Sequence, residues 1–406
     1  MKPYGLLGEK LGHSFSPLIH SRFGDYEYRL FPTPKEELEA FLKSGSFGNL
    51  NVTMPYKKDV IPYCKELSPL AKRIGSVNTI KVKEDGLYGF NTDYYGFCYM
   101  LSVGNISVKS EKCAVIGSGG VSSTVCTALE DLGAAQITVV AKALNTPAYI
   151  DTISDHTIVV NTSPVGMYPK NGRSAVDLAQ FKELKGVADL IFNPLKTAFM
   201  LQAEALGVPC VGGLPMLVAQ AKRAAEIFED KVIDDALVEP VHKEIHDLCE
   251  TICLIGMPGS GKSTLGQMLA EALGKTFVDT DALIVEMAGK TIPEIFAEDG
   301  EDAFRSLETK ALAEATAKSG CVVATGGGVV KRGENHPLLK QNGRVILVER
   351  ALEALSTGGR PLSSSREALE KLYEERQPLY SALADIVVAN NKTPEEALTE
   401  LLRKLN

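Results

Sequence analysis

Apolar residues in this chain gather into short runs that stop at glycine, and the two clearest runs divide it. TICLIG, residues 251–256, is an unbroken apolar run of strand length; it leads into MPGSGKST, and KSTLGQMLAEAL then carries apolar residues at helical spacing. EKCAVIGSGGVSSTVCTALEDLG, residues 111–133, repeats the arrangement with a short strand, a glycine turn and a helix ending near Gly133, followed by a further strand, QITVV. Strand, turn, helix and strand in that order predict the βαβ unit of an open parallel sheet. Between the two runs, after Ile227, the apolar density falls. FEDKVIDDALVEPVHKEIHDLCE replaces it with charges and Pro240, which predicts a linker near 235–250. No repeat with a period of 20–50 residues is present.

At 406 residues the chain is too long for one ordinary core, so two or more domains are expected. A hydrophobic content of 45% and a charged content of 23% describe an ordinary globular protein, and the strand, turn and helix order above makes its fold class α/β. The net charge of −8, with no Lys/Arg cluster interleaved with aromatics, argues against nucleic acid or an anionic membrane as partner and leaves small molecules. Eight cysteines are scattered without a C-x-x-C pair, which reads as reduced thiols. MKPYGLLGEKLG lacks the apolar core of a signal peptide, and no window holds eighteen uncharged apolar residues, so a cytoplasmic protein is expected.

GMPGSGKST fits the phosphate-binding pattern G-x-x-x-x-G-K-[ST] between a strand and a helix. Gly256, Gly259, Ser260 and Gly261 would let backbone N–H groups wrap phosphate oxygens, Lys262 adds charge, and Ser263 beside Thr264 offers a hydroxyl for Mg²⁺. The competing reading is a chance glycine turn. FVDTDALIVE next predicts a strand ending in Asp279 and Asp281, so that one carboxylate reaches the metal and the other an acceptor hydroxyl, unless the pair is simply an exposed turn. Three separated arginines, Arg305, Arg360 and Arg376, with a TGGG turn at 325–328, suit an anionic acceptor and a transferring phosphoryl group. Taken singly, each is more often a surface ion-pair residue.

In the front half, Gly117, Ser118, Gly119 and Gly120 form a candidate dinucleotide turn, with Ser122 where a third glycine is usual. After QITVV an acidic ribose-binding residue is absent; Lys142 stands there and favours the extra phosphate of NADP(H). Ahead of this unit, GHSFSPLIH offers Ser14 and Ser16 at a helix start, NVTMPYK offers Asn51, Thr53 and Lys57, and SVNT with GFNTDYYG offers Asn78, Asn91 and Asp93. A lysine can protonate the alkoxide formed when a carbonyl is reduced, and an aspartate can orient it, so Lys57 and Asp93 are candidates. Backbone capping in turns is the alternative for all of these polar residues.

The order of GMPGSGKST, DTD, IPEIFAEDGEDAFRSLE, ATGGGVV, RPL and RQPLY resembles shikimate kinase over 251–406. The resemblance implies a P-loop, nucleoside-monophosphate-kinase-like parallel-sheet domain that uses ATP and Mg²⁺. In it Asp279 with Ser263 holds the metal, Asp281 binds the shikimate hydroxyl as its base, Arg305, Arg376, Gly327 and Gly328 grip the substrate, and Arg360 sits on a lid. Where the family's lid carries one or two arginines, this chain has Leu355 and Ser356. GHSFSPLIH, NVTMPYK, RIGSVNT, GFNTDYYG, VIGSGG, VNTSPVGMYP, DLIFNP and PMLVAQAKRA resemble shikimate dehydrogenase over about residues 3–230.

That second resemblance implies an α/β substrate domain at 1–90, a Rossmann NADP domain at 91–213, and a helix at 214–235 returning to the substrate domain, before a linker at 236–250. Lys57 and Asp93 become the catalytic pair; Ser14, Ser16, Thr53, Asn78 and Gln220 bind shikimate; Thr162, Ser163 and Met216 lie near the nicotinamide. Departures are Ala141-Lys142-Ala143 for Asn-Arg-Thr, Phe192 for the tyrosine of Y-N-P, and Pro215 for a glycine. Together the resemblances imply reduction of 3-dehydroshikimate to shikimate and then its phosphorylation. A shikimate-binding protein without turnover, and a kinase for another polyol, are the rivals. Oligomeric state is not legible.

Overall fold

The computed structural model describes residues 2–12, 14–141, 147–355 and 366–405. The chain falls into two compact units, Met1–Met167 with Arg173–Phe192 and Gln202–His246, and Tyr168–Gly172 with Asn193–Leu201 and Asp247–Asn406. Both are α/β. The first unit opens with a six-stranded sheet of β1 (Tyr4–Gly8), β2 (Tyr28–Pro32), β3 (Leu50–Val52), β4 (Cys64–Leu67), β5 (Thr79–Lys83) and β6 (Gly86–Phe90), in the order β2-β1-β3-β5-β6-β4. β1 runs parallel to β2 and β3, whereas β5 is antiparallel to β3 and β6. β3 therefore ends beside the start of β5, which brings the NVT turn to Asn78.

The second sheet of this unit contains β7 (Lys112–Ile116), β8 (Gln136–Val140), β9 (Ile158–Asn161), β10 (Gly186–Asp189) and β11 (Cys210–Val211), ordered β11-β10-β9-β7-β8 and parallel throughout. β9 and β10 are buried along their whole length, as strands covered on both faces require. The chain leaves β7 toward β8 on one side and returns to β9 on the other. A crevice for a ligand opens at such a reversal, and the glycine turn at 117–120 occupies it. The helix Leu214–Glu229 packs on the helix Asp93–Val103, where a Cβ on Gly96 would stand 2.6 Å from the Met216 carbonyl oxygen. Only glycine permits that approach. Pro215 sits in the first turn of its helix, where the missing N–H has no intrahelical partner to lose.

In the second unit β12 (Thr251–Ile255), β13 (Thr276–Asp279), β14 (Cys321–Ala324), β15 (Gly343–Glu349) and β16 (Ile386–Ala389) form a parallel sheet in the order β13-β14-β12-β15-β16. The carboxyl ends of β12, β13 and β14 thus deliver the phosphate-binding loop, Asp279 and the TGGG turn to one edge. Residues 236–250, expected as a linker, are mostly the helix Val238–Cys249. Its buried Val238, Val241, Ile245 and Cys249 make a stripe at helical spacing that the surrounding charges hide in the sequence. All eight cysteines are free, and among the described residues no helix is long and apolar enough to cross a membrane.

Candidate active sites

Lys57 lies in the turn after β3, and its carbonyl accepts a hydrogen bond from Val77 N at 2.8 Å. Its ammonium meets Asp93 Oδ2 at 2.7 Å, with side-chain exposures of only 17% and 9%. Partial burial makes such a pair stronger than a surface one. Next to Asp93, Thr92 donates from its backbone N–H to Asn78 Oδ1 at 2.7 Å, accepts from Asn78 Nδ2 at 3.0 Å, and reaches Gln220 Oε1 at 3.4 Å. Asn51 Nδ2 donates to Thr79 Oγ1 at 3.2 Å, and its Oδ1 accepts from the Tyr28 hydroxyl at 2.8 Å. Ser14 Oγ donates to Ser16 Oγ at 3.1 Å and accepts the Ser16 N–H at 3.2 Å. Thr53 stays half-buried beside Gly8, where an added Cβ would meet its methyl at 2.7 Å.

At the glycine turn, Gly117 has φ 111°, and a Cβ there would be 2.8 Å from Thr162 Oγ1. Gly119 and Gly120 face open space instead, and the helix Gly120–Asp131 begins without a side-chain cap. Uncapped N–H groups next to open space fit the pyrophosphate of a dinucleotide. Thr162 Oγ1 donates to the Ile116 carbonyl at 2.9 Å; Ser163 Oγ donates to Asn161 Oδ1 at 2.7 Å, and Asn161 is held in turn by Asp189 Oδ1 at 3.0 Å. Met216 is buried in the apolar core shared with Val115 and Val160. Lys142 lies outside the described residues.

The second unit contains a cavity of about 720 Å³ lined by Gly259, Gly261, Lys262, Ser263 and Thr264, by Asp279 and Asp281, by Gly326–Gly328, and by Arg305, Glu308, Arg350 and Arg376. Ser260 is buried at its edge and is held through its carbonyl by Asn390 Nδ2 at 2.8 Å. Lys262 Nζ donates to the carbonyls of Gly256 and Met257 at 3.0 and 2.9 Å, curling over the loop. Ser263 Oγ donates to Asp279 Oδ2 at 2.7 Å, while Asp279 Oδ1 caps the next helix through Asp281 N at 2.9 Å. Arg305 is fixed by Glu308 Oε2 at 2.8 Å and Glu301 Oε1 at 3.0 Å, against Gly328, where a Cβ would collide with its guanidinium. Burial pushes the Glu308 carboxyl up, and the Asp281 charge adds to this against the pull of Arg305. Arg376, only 2% exposed, donates from Nη1 to the Gly327 carbonyl at 2.9 Å, while its Nε and Nη2 are buried without a partner. Two orphaned guanidinium donors on a residue that lines a polar cavity favour an anion there.

A larger cavity, about 1070 Å³, opens in the first unit beside Tyr95, Lys222, Arg223, Glu226 and Asp235. Lys222, Arg223, Glu226 and Asp235 are mutually paired, with Lys222 Nζ 2.7 Å from both Glu226 Oε1 and Asp235 Oδ1, so the candidate chemistry stays with Lys57 and Asp93.

A relative from Clostridium perfringens described as shikimate dehydrogenase (NADP(+)) is 36% identical over 267 residues, covering 60% of this chain and 98% of its own length. The chain belongs to the shikimate dehydrogenase family. A family model for the shikimate dehydrogenase substrate binding domain matches residues 6–80, and one for shikimate kinase matches residues 258–406. A kinase domain therefore follows the dehydrogenase, and the chain is a bifunctional shikimate-pathway enzyme. Among solved structures, a chorismate mutase/shikimate 5-dehydrogenase fusion from Clostridium acetobutylicum is 38% identical, with a TM-score of 0.57 over 61% of this chain and 97% of that one. The Thermus thermophilus shikimate 5-dehydrogenase in complex with NADP(H) and shikimate is 29% identical, with a TM-score of 0.55 over 60% and 99%.

In the dehydrogenase, Lys57, Asp93, Asn78 and Gln220 are joined through Thr92, whereas Ser14 and Ser16 form their own pair at the start of the helix Ser16–Phe23. In the kinase, Arg305, Arg376, Asp279, Asp281 and the loop share one cavity; Arg360 falls outside the described residues, and Leu355 is a buried core residue. Sequence reasoning missed Tyr28, His20, Glu308 and Arg350. Glu308 alone left a signal, because it stands three positions after Arg305 on one helix.

His20 is fully buried and stacks on Tyr28 with ring centroids 4.1 Å apart, and its Nδ1 lies 2.6 Å from the Tyr26 hydroxyl. Burial pushes it down to about 3 from its ordinary 6.5, so the folded protein keeps it neutral while the unfolded chain takes up a proton below about 6.5. Its contribution to stability is full above pH 6.5 and is lost progressively toward pH 3, reaching about 3 kcal/mol by pH 4.5. Urea denaturation of His20→Gln should show a visibly shallower loss between pH 7 and 4.5 than the parent protein. Equal slopes would refute this.

Proposed function

We propose that the dehydrogenase reduces 3-dehydroshikimate to shikimate with NADPH and that the kinase transfers the γ-phosphoryl group of ATP to the 3-hydroxyl of shikimate with Mg²⁺. The observation that carries the reading is Arg376, whose two buried, partnerless donors, in the cavity that Asp281 also lines, suit the carboxylate of a small hydroxy acid. Reduced nicotinamide, when bound at the glycine turn, supplies the hydride to the carbonyl carbon. Lys57 gives its proton to the developing alkoxide, and Asp93 holds the ammonium in place. Asn78, Gln220, Ser14, Ser16 and Thr53 orient the ring; Thr162, Ser163 and Met216 face the nicotinamide side. The choice of NADP is supported by Lys142 and by the similarity to NADP(+) shikimate dehydrogenases.

For the kinase, Ser263 and Asp279 offer two hard oxygens, which fits Mg²⁺. No cluster of three or more His, Cys, Asp or Glu is arranged to hold a metal among the described residues, so phosphate oxygens and water would complete the shell. Lys262 and the loop N–H groups bind the phosphates, Asp281 takes the hydroxyl proton, and Arg305 and Arg376 position the acceptor.

The test follows nicotinamide oxidation and ADP release together, with 3-dehydroshikimate, ATP and Mg²⁺, comparing NADPH with NADH. Oxidation followed by ADP release is expected, with NADPH preferred. Oxidation without ADP release, even from added shikimate, removes the kinase half of the reading. Silence in both channels favours a binding protein.

A further inference from the structure

We propose that Arg350 is a nucleotide-binding residue of the kinase, delivering its guanidinium from the end of β15 to the phosphate chain of the bound nucleotide. This rests on the kinase reading above. Arg350 directly follows β15, which pairs with β12, the strand that feeds the phosphate loop. The two ends approach closely, since a Cβ on Gly256 would stand 2.5 Å from the Val348 carbonyl oxygen. The side chain is half-buried and lines the same cavity as Gly259, Gly261, Lys262 and Ser263.

Its Nε is buried with no hydrogen-bond partner, and among the described residues no ion pair involves it. The neighbouring Glu349 does not supply one, because its Oε1 accepts from Gln377 Nε2 at 2.9 Å. A guanidinium whose Nε is withdrawn from water without a partner carries an unmet donor, which an entering anion would satisfy. The other cations of the cavity are committed: Arg305 to Glu301 and Glu308, and Arg376 to the Gly327 carbonyl with its remaining donors toward the acceptor. A nucleoside triphosphate brings several negative charges, more than Lys262 balances. Leu355, at one of the positions where a lid arginine is expected, is packed in the core and brings no charge to the phosphates. Arg350 meets that need from a rigid strand end.

The experiment uses the full-length protein and its Arg350→Ala and Arg350→Lys variants. ADP is titrated at low and high salt, shikimate is titrated separately, and kinase KM values are measured for ATP and shikimate. Loss of one charge-assisted contact should weaken ADP about tenfold in the alanine variant and make its binding less salt-sensitive. The lysine variant should recover part of the affinity, and shikimate affinity should be kept, which also shows that the variant is folded. Unchanged ADP affinity overturns the proposal. So does a loss confined to shikimate, which would place Arg350 on the acceptor. If the parent protein binds ADP but does not phosphorylate shikimate, the kinase reading fails, and the ADP arm still decides the role of Arg350.

Discussion

Lys57→Ala is expected to lower the rate of 3-dehydroshikimate reduction by a factor of about 10²–10⁴, the usual contribution of a positioned proton donor. NADPH affinity should be unchanged, and shikimate affinity should fall far less than the rate. The expectation follows from geometry. The Lys57 side chain is only 17% exposed and its ammonium is held 2.7 Å from Asp93 Oδ2, so water cannot readily take its place next to a new alkoxide. Asp93 is in turn fixed as the first residue of its helix, beside Thr92 and Asn78. Stopped-flow or steady-state oxidation of NADPH, paired with a shikimate titration, reads the split between rate and affinity. A variant that keeps its rate and loses only affinity would make Lys57 a binding residue, and the dehydrogenase part would then be read as a shikimate-binding module.

The elements that carry phosphate chemistry were legible because a parallel strand, a glycine turn and a helix leave a local signature, and both β7 with its turn and β12 with its loop lie where that signature puts them. The pairing of Lys57 with Asp93 was legible only as a possibility of chemistry; it depends on β3 ending beside β5, a relation between residues 36 positions apart. What stayed hidden shares one cause. His20 and Tyr28 look like ordinary polar and aromatic residues, and their meeting with Asn51 is created by the parallel pairing of β1 with β2 and β3. Arg350 reads as one more charge after a strand until the cavity shows which way the strand end faces. The helix Val238–Cys249 was masked by composition, since one buried stripe in a charged segment looks like a linker when positions are counted rather than projected on a helix.

For the second reaction the largest effect is expected at Asp281. Asp281→Asn keeps size and shape but cannot accept the proton of the acceptor hydroxyl, so kcat for shikimate phosphorylation should fall by about 10²–10⁴. ADP affinity and shikimate affinity should change only severalfold. The carboxylate is well placed for that division of labour. Its backbone N–H is bound to Asp279 Oδ1 at 2.9 Å, which fixes it relative to the Ser263–Asp279 pair, and its Oδ1 lies 3.2 Å from where a Cβ on Gly326 would stand. Glu308 Oε1 comes to 2.6 Å from the same point, so two carboxyls converge over the TGGG turn. Because burial pushes the Glu308 carboxyl up while Arg305 binds it, Glu308 serves to hold the arginine, and the expected proton acceptor among the two is Asp281, which lines the cavity with the loop. Coupled ADP release measured against direct titration of both ligands separates the outcomes. A variant that loses shikimate affinity in proportion to its rate would make Asp281 an acceptor-binding group, and the proton would then leave the hydroxyl without help from a protein base.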